Sequence, residues 1–387
     1  MSDLSNIKVL LLEGFARQIM PLMQALHDLG CHITTYNNSK LDMGYSSRYP
    51  NKRLLAVWDR NDSQKSLSAL REVLQKDSYD VVIPLTDFSA ILLSQNKEEL
   101  KKYAALAVND WDVIQMAVDK QNTMLTCQKN LIPYPVTLWD VESIDDILNS
   151  GLKYPFIIKP RTGYGSIGFH CITSAEHLKE VFDNAIKCHG KMLVQDFIPQ
   201  IDKQYKAELF LDRHGNVKSA CVFDKTRWFP IDGGSTCCSS TVFRPDIVEM
   251  SAKLLRAIGW KGYGDIDLIQ DPRDGLVKVM EINPRITASV KICFSAGIDF
   301  ARQIIELETG REVTAYTDYN IDKRLRYMHT DILWFLKSPN RFKAKPSWFN
   351  FIQTTDQIFS AKDIVPWFTY SIQAVRKISP EMKRRKR

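Results

Sequence analysis

The segment GDIDLIQDPRDGLVKVMEINPR, residues 264–285, restricts the fold more than any other stretch of the chain. Two apolar runs of strand length flank a Pro-Arg-Asp-Gly turn at 272–275, so the segment is expected to fold back on itself as a hairpin. The period of two puts Asp265 and Asp267 on one face of the first strand, and Glu281 and Asn283 on one face of the second. Pairing then sets Asp267, Glu281 and Asn283 side by side. Oxygen-bearing groups crowded in this way repel one another unless a hard cation lies between them, and Mg²⁺ with phosphate oxygens suits the set, Mn²⁺ being able to replace it. The other reading is a solvated polar face. Asn-Pro-Arg ends the second strand and turns Arg285 back toward the site, where a cation suits an anionic substrate or a departing phosphate.

The stretch PFIIKPRTGYGSIGFH, residues 155–170, has an apolar strand that delivers Lys159 and a loop holding Gly163, Gly165, Ser166 and Gly168 before a second strand. Glycines so placed let backbone amides converge on an anion. No Gly-Lys-Ser/Thr opens a helix here, so this is not a Walker loop but a glycine hairpin between strands. Taken alone, such a hairpin is as readily structural. Lys159 favours a phosphate cradle, because a lysine inside an apolar strand is unfavourable unless it meets an anion. Between the two segments, DKTRWFPIDGGSTCCSS brings Lys225 and Arg227 just before a Gly233-Gly234-Ser235 turn. Its cations and amides could hold a carboxylate; a plain solvent loop is the alternative.

Upstream, an apolar run from Lys8 to Leu12, a helical pattern through Met20, Leu22, Met23, Leu26 and Leu29, and a run from His32 to Tyr36 make a β-α-β opening. The first loop carries a single glycine and no GxGxxG, which argues against a dinucleotide cofactor. A helix is expected over 66–75, a strand over 79–84, and a helical stretch over 110–129, closed by a PYPVT turn. Thr86 and Asp87 fall at the strand's carboxyl end, where open α/β sheets bind ligands, although Asp87 could equally cap the next helix. After Tyr154 short strands with glycine turns predominate, with helices expected over 175–188 and 247–258, a mainly antiparallel α+β pattern.

A chain of 387 residues is long enough for two or three subdomains with cores of their own. Eight cysteines without CxxC spacing argue against structural zinc and read as reduced thiols. The N-terminus lacks the basic and longer apolar regions of a signal peptide, and no run reaches the roughly 18 apolar residues of a membrane span, so a cytoplasmic setting is expected. The net charge of +7 is concentrated at the end, in Lys383, Arg384, Arg385, Lys386 and Arg387.

Taken together, the K-P-x-x-G-x-G-S-x-G run, the upstream acid and the ending EINPR resemble the ATP-grasp superfamily over roughly residues 5–320, and within it the carboxylate–amine ligases related to the carbamoyl phosphate synthase large subunit and D-aspartate ligase. The resemblance implies an N-terminal Rossmann-like α/β domain over 1–118 and a two-lobed ATP-grasp fold. Of its lobes, the small one with the lid covers 119–200 and the large α+β lobe with the metal site covers 201–324, leaving a C-terminal extension over 325–387. It further implies that Lys120 and Lys159 contact ATP, that 163–168 form the lid, and that Gln195, Asp196 and Ile198 meet adenine. Gln204 stands where relatives have a ribose-binding Glu, and Asp267 where many have Glu or Gln. Asp267, Glu281 and Asn283 match the metal ligands, and Arg285 the arginine that binds substrate or acyl phosphate, with Lys225 and Arg227 nearby.

The implied chemistry is attack of a carboxylate on the γ-phosphate, then capture of the acyl phosphate by an amine, on an amino acid or a cell-surface polysaccharide precursor. The competing class is a non-catalytic module binding ATP or an acidic polymer; a kinase that stops at the phosphorylated product is a third. No aromatic-basic single-strand motif points to nucleic acid. The aromatic and basic segment after residue 325 suits either a helical cap on the core or contact with a membrane interface or an acidic glycan, which would hold the protein at the membrane's inner face. A homodimer is compatible with the sequence.

Overall fold

In the computed structural model, which describes residues 3–56, 58–163, 167–200, 203–231 and 235–384, the N-terminal β-α-β pattern grows into a five-stranded sheet. Its strands β1 (Lys8–Leu11), β2 (His32–Asn37), β3 (Lys52–Leu55), β4 (Val81–Ile83) and β5 (Ala105–Leu106) are all parallel, in the order β3-β2-β1-β4-β5. The order reverses between β1 and β4, so the carboxyl ends of those two strands open a crevice. The short β3 and β5 carry too little apolar periodicity to be read from the sequence.

The helical stretch expected over 110–129 is two helices, Trp111–Val118 and Lys120–Lys129. The break is at Asp119, whose backbone leaves the helical region and whose carboxylate accepts from the Gln121 amide, an N-cap in mid-sequence. Arg161 pairs with the same carboxylate at 2.5 Å, and the Lys120 amide donates to the Arg161 carbonyl at 2.9 Å. The break therefore sets Lys120 at the start of a helix, beside the loop that follows Lys159.

A four-stranded sheet, β6 (Thr137–Leu138), β7 (Phe156–Pro160), β8 (His170–Ile172) and β9 (Met192–Asp196), forms the small lobe in the order β6-β9-β7-β8. Phe156, Ile158, Ile172, Val194 and, from the Ala175–His189 helix, Leu178 and Phe182 bury one face. Each fully buried side chain of this size contributes roughly 1.5–3 kcal/mol to holding the lobe together. Alternation turns Ile157, Lys159 and Gln195 to the other face.

The large lobe is a seven-stranded sheet in the order β14-β13-β10-β11-β12-β15-β16. It comprises β10 (Gln204–Leu211), β11 (Val217–Phe229), β12 (Ser235–Thr241), β13 (Gly262–Gln270), β14 (Val277–Asn283), β15 (Arg324–Arg326) and β16 (Thr354–Asp356). The expected hairpin is β13 and β14, antiparallel, with Gly275 at a φ of +73° that favours glycine. Tyr205, Ala207, Leu209, Ile266 and Ile282 bury one face of the sheet. On the other, Phe210, Cys221 and Phe223 share a core with Leu11 and Ile19 of the N-terminal domain. The region after residue 325 is thus not a separate appendage, since β15 and β16 extend the large sheet and the helix Val365–Arg384 packs on the N-terminal domain through Ser46–Thr369 at 2.9 Å. Among the described residues no helix is long and apolar enough to cross a membrane.

Candidate active site

Ladder register builds the site. Lys206 on β10 stands opposite Asp267 on β13, which stands opposite Glu281 on β14; Glu208, Asp265 and Asn283 form the next such row. All six share the face turned toward the small lobe and the N-terminal domain, as alternation requires. Lys206 Nζ lies 3.0 Å from Asp265 and 3.6 Å from Asp267, and Lys225 Nζ lies 2.5 Å from Asp267. Asn283 Nδ2 donates to Asp265 at 2.8 Å and to Asp267 at 3.0 Å. Burial raises the Asp267 carboxyl, but the charges of Lys206 and Lys225 outweigh it and hold the group well below the usual carboxylate range. Beneath lies Glu208, fully buried, accepting from Ser289 Oγ at 2.7 Å and Cys293 Sγ at 3.1 Å. Burial, reinforced by Asp265, pushes it up to about 7 from an ordinary 4.5, with Lys206 opposing.

Glu281 is less enclosed, 37% of its side chain being exposed, and Lys120 Nζ stands 3.7 Å away. The same Nζ donates to the Gly163 carbonyl at 2.9 Å, tying the glycine loop to the large lobe. Lys159 comes to this place from β7 and has no ion pair among the described residues. Burial lowers it to about 8 from 10.5, Glu281 opposing and Lys120 adding to the shift. Gly168 holds a φ of +73°, and a Cβ there would come within 2.8 Å of the Pro160 ring, so glycine is required twice over. Gly165, Ser166, Gly233 and Gly234 lie outside the described residues.

On β9 the buried Gln195 donates to Thr137 Oγ1 at 2.9 Å, while its Oε1 finds no partner among the described residues. The Asp196 carboxylate is paired with Arg273 at 2.6 Å; Ile198 and Gln204 are buried nearby in sequence. Across the cleft, Arg285 Nε donates to Asp87 at 3.0 Å. Thr86, not Asp87, caps the helix Asp87–Gln95 through a capping box with Ser89, which leaves the Asp87 carboxylate for Arg285. Glu13 at the end of β1, buried and at a φ of +60°, accepts from Thr86 and Ser89 with Arg60 at 3.6 Å.

Arg227 does not join Lys225. Thr226 is an extra residue in the pairing of β11 with β12, which shifts the alternation by one. The Arg227 guanidinium instead holds Asp331 at 2.7 and 3.0 Å and the Pro346 carbonyl at 3.1 Å, and is 2% exposed. Lys206, Glu208 and Asp265 complete the charged face. Alternation in the hairpin already sets Asp265 beside Asp267, whereas Lys206 and Glu208 are not among the expected site residues, although KAELFLD sets charges at alternate positions of an apolar strand as the strand of Lys159 does.

These contacts decide which donors are left for a divalent cation. Among the described residues no three His, Cys, Asp or Glu are disposed to hold a metal ion by themselves, so Asp267, Glu281 and the Asn283 amide are the set nearest the cleft. With Asn283 Nδ2 turned onto the aspartates, its Oδ1 makes no hydrogen bond among the described residues, and Glu281 makes none either. Hard oxygens on one edge of the cleft with two lysines facing them fit a cation bound together with an anionic ligand.

Residues 119–315 match the family model described as the carbamoyl-phosphate synthase L chain, ATP binding domain. The chain belongs to this family. Among curated relatives it is similar to the D-aspartate ligase of Enterococcus faecium, 27% identical over 264 residues, 63% of this chain and 62% of that protein. It is also similar to a D-alanine–D-alanine ligase from a Wolbachia of Drosophila simulans, 27% identical over 37% of this chain and 47% of that protein. The chain thus spans less than two thirds of the length of these relatives. Among solved structures, a biotin carboxylase complex from Campylobacter jejuni superposes with a TM-score of 0.72 over 84% of this chain and 75% of that one at 16% identity, which shows the ATP-grasp fold.

Proposed function

We propose that this protein is an ATP-dependent carboxylate–amine ligase: it activates a carboxylate as an acyl phosphate, condenses it with an amine, and releases ADP and phosphate. The observation that carries the reading is the convergence of Lys120 and Lys159 on Glu281, with Lys120 also fastened to the glycine loop. A lysine as buried as Lys159, without an ion pair among the described residues, calls for an anion, and a triphosphate supplies one.

In this reading Lys120 and Lys159 neutralise ATP phosphate oxygens and the loop 163–168 closes over them, excluding water from the acyl phosphate. Gln195 Oε1 offers an acceptor to the adenine amine, Ile198 packs against the base, and Gln204 reaches the ribose; Asp196, held by Arg273, fixes the hinge. Asp267, Glu281 and Asn283 are the residues that would hold Mg²⁺, which when bound would supply charge neutralisation for the phosphoryl group. Lys225 and Lys206 balance Asp267 and keep it ionised. Arg285, steered by Asp87, binds the carboxylate and then the acyl phosphate at the mouth of the β1/β4 crevice. Both curated relatives named above are amino acid ligases, which supports an amino acid as one of the two substrates.

The test is phosphate release from Mg-ATP across a panel of amino acids and uronic acids, with product analysis. Release that requires both a carboxylate and an amine, with a new amide in the product, is expected. No release with any pair would remove the proposal, and a phosphorylated product formed equally well without amine would make the protein a kinase.

A further inference from the structure

From Ile332 to Gln353 the chain carries Lys337, Arg341, Lys343 and Lys345 and no aspartate or glutamate. The same segment exposes large apolar side chains: Leu336 at 64%, Phe342 at 72%, Phe349 at 57%, Phe351 at 56% and Ile352 at 75%. Their rings are contiguous. Phe335 has its centroid 5.6 Å from Phe342, 5.5 Å from Phe349 and 4.5 Å from Trp348, Phe342 stacks on Phe349 at 6.4 Å, and Trp348 meets Phe351 at 6.1 Å.

The patch is pinned from beneath. The Arg326 guanidinium lies 4.6 Å over Trp348 and 4.9 Å over Phe351, and Trp348 Nε1 donates to the Asp331 carbonyl at 3.2 Å. Asp331, the acid closest in sequence, is buried between Arg227 and Arg326, so its charge is already balanced. What faces water is therefore a set of phenyl rings in a segment that also exposes Lys337, Lys343 and Lys345.

We propose that this surface docks the protein peripherally on an anionic lipid bilayer, with Phe342, Phe349 and Ile352 entering the headgroup region and the lysines meeting lipid phosphates. Two features together select this partner. Anionic lipid answers the cations, and only a phase that is also apolar answers the rings, since a soluble acidic polymer would leave them in water. One kind of surface satisfies both.

The test is co-sedimentation of the full chain with vesicles of phosphatidylcholine alone and of phosphatidylcholine with phosphatidylglycerol. Binding to the second, little to the first, and weakening with added salt are expected. Lys343→Glu with Lys345→Glu should lower partitioning by at least about 25-fold, at about fivefold per cation. Independently, Phe342→Glu with Phe349→Glu should lower it on the order of tenfold. Both pairs are at exposed positions, and unchanged melting temperatures would show that the fold is intact. Equal binding to both vesicles, or binding that survives both variants, would overturn the proposal. So would loss on lysine substitution alone with dextran sulfate competing as well as lipid, which marks a polyanion site. A phenylalanine variant that alters only the mass in solution would assign the patch to a second copy of the chain instead.

Discussion

Lys120 Nζ stands 3.7 Å from Glu281 and 2.9 Å from the carbonyl of Gly163, so one ammonium joins the large lobe to the glycine loop. Because the Glu281 side chain makes no hydrogen bond among the described residues, its charge faces chiefly Lys120 and Lys159, and the Gln substitution keeps its size and its place in the β13–β14 ladder. Glu281→Gln and Lys159→Ala are each expected to lower turnover by at least about tenfold, the loss of roughly 1.4 kcal/mol of charge stabilisation. Phosphate release under saturating Mg-ATP measures it, and wild-type rates in either variant would contradict the assignment of this cleft.

Lys159 also makes nucleotide affinity depend on pH. With its pKa lowered to about 8, the free protein loses this charge as pH rises through that value. The dissociation constant for ADP should therefore rise between about pH 7 and 9, and Lys159→Arg, which stays charged, should flatten the profile. Titration calorimetry at several pH values measures this; a profile identical in both proteins would show that Lys159 does not meet the phosphates.

Glu208 gives a stability signature in a lower pH window. Its folded carboxyl is raised to about 7 from an ordinary 4.5, so the folded state holds a proton that the unfolded chain has released. The contribution is fully present below about 4.5 and is lost as pH rises to about 7. Replacing Glu208 by Gln should flatten the fall in unfolding free energy over that window, as read from denaturant midpoints. An unchanged slope would mean that Glu208 is ionised in the fold, stabilised by Lys206.

Side-chain alternation makes part of this site legible in the sequence. The β13–β14 hairpin with the residues it aligns, and the antiparallel pairing of β7 with β8 on either side of the glycine loop, follow from period two and turn chemistry and are observed, while residues 164–166 of that loop lie outside the described residues. Arg227 went astray because one extra residue at Thr226 reverses alternation, and a bulge leaves no mark in composition. The helix over 110–129 was divided by a capping aspartate whose partner, Arg161, is distant in sequence. Lys206 and Glu208 carry the same alternation, but no glycine loop or turn marks their strand in the sequence. The role of Asp331 required the tertiary fold.

Arg285, just after β14, and Asp87, just after β4, meet at 3.0 Å, so the pair joins the large sheet to the N-terminal crevice. Arg285→Ala should lower kcat/KM for the carboxylate substrate on the order of a hundredfold, with ADP affinity nearly unchanged. Asp87→Asn should raise KM more than it lowers kcat, since it misdirects the guanidinium without removing it. Equal loss of nucleotide affinity would instead place Arg285 on the phosphates of ATP.

Arg227 and Arg285 lie on the same lobe yet should respond oppositely, which separates chemistry from folding. The Arg227 and Arg326 guanidiniums both bind the buried Asp331, at 2.7 and 2.6 Å. Removing that carboxylate leaves two buried cations unpaired, for which about 3–5 kcal/mol of destabilisation is expected. Asp331→Ala should therefore shift the denaturant midpoint sharply, while kcat per folded molecule stays within a few-fold of wild type. Arg285→Ala should do the reverse, holding its midpoint and losing turnover. The two measurements distinguish a cation that holds β11 to the Met328–Lys337 helix from one that meets substrate; if Asp331→Ala lost turnover at an unchanged midpoint, Arg227 would belong in the active site after all.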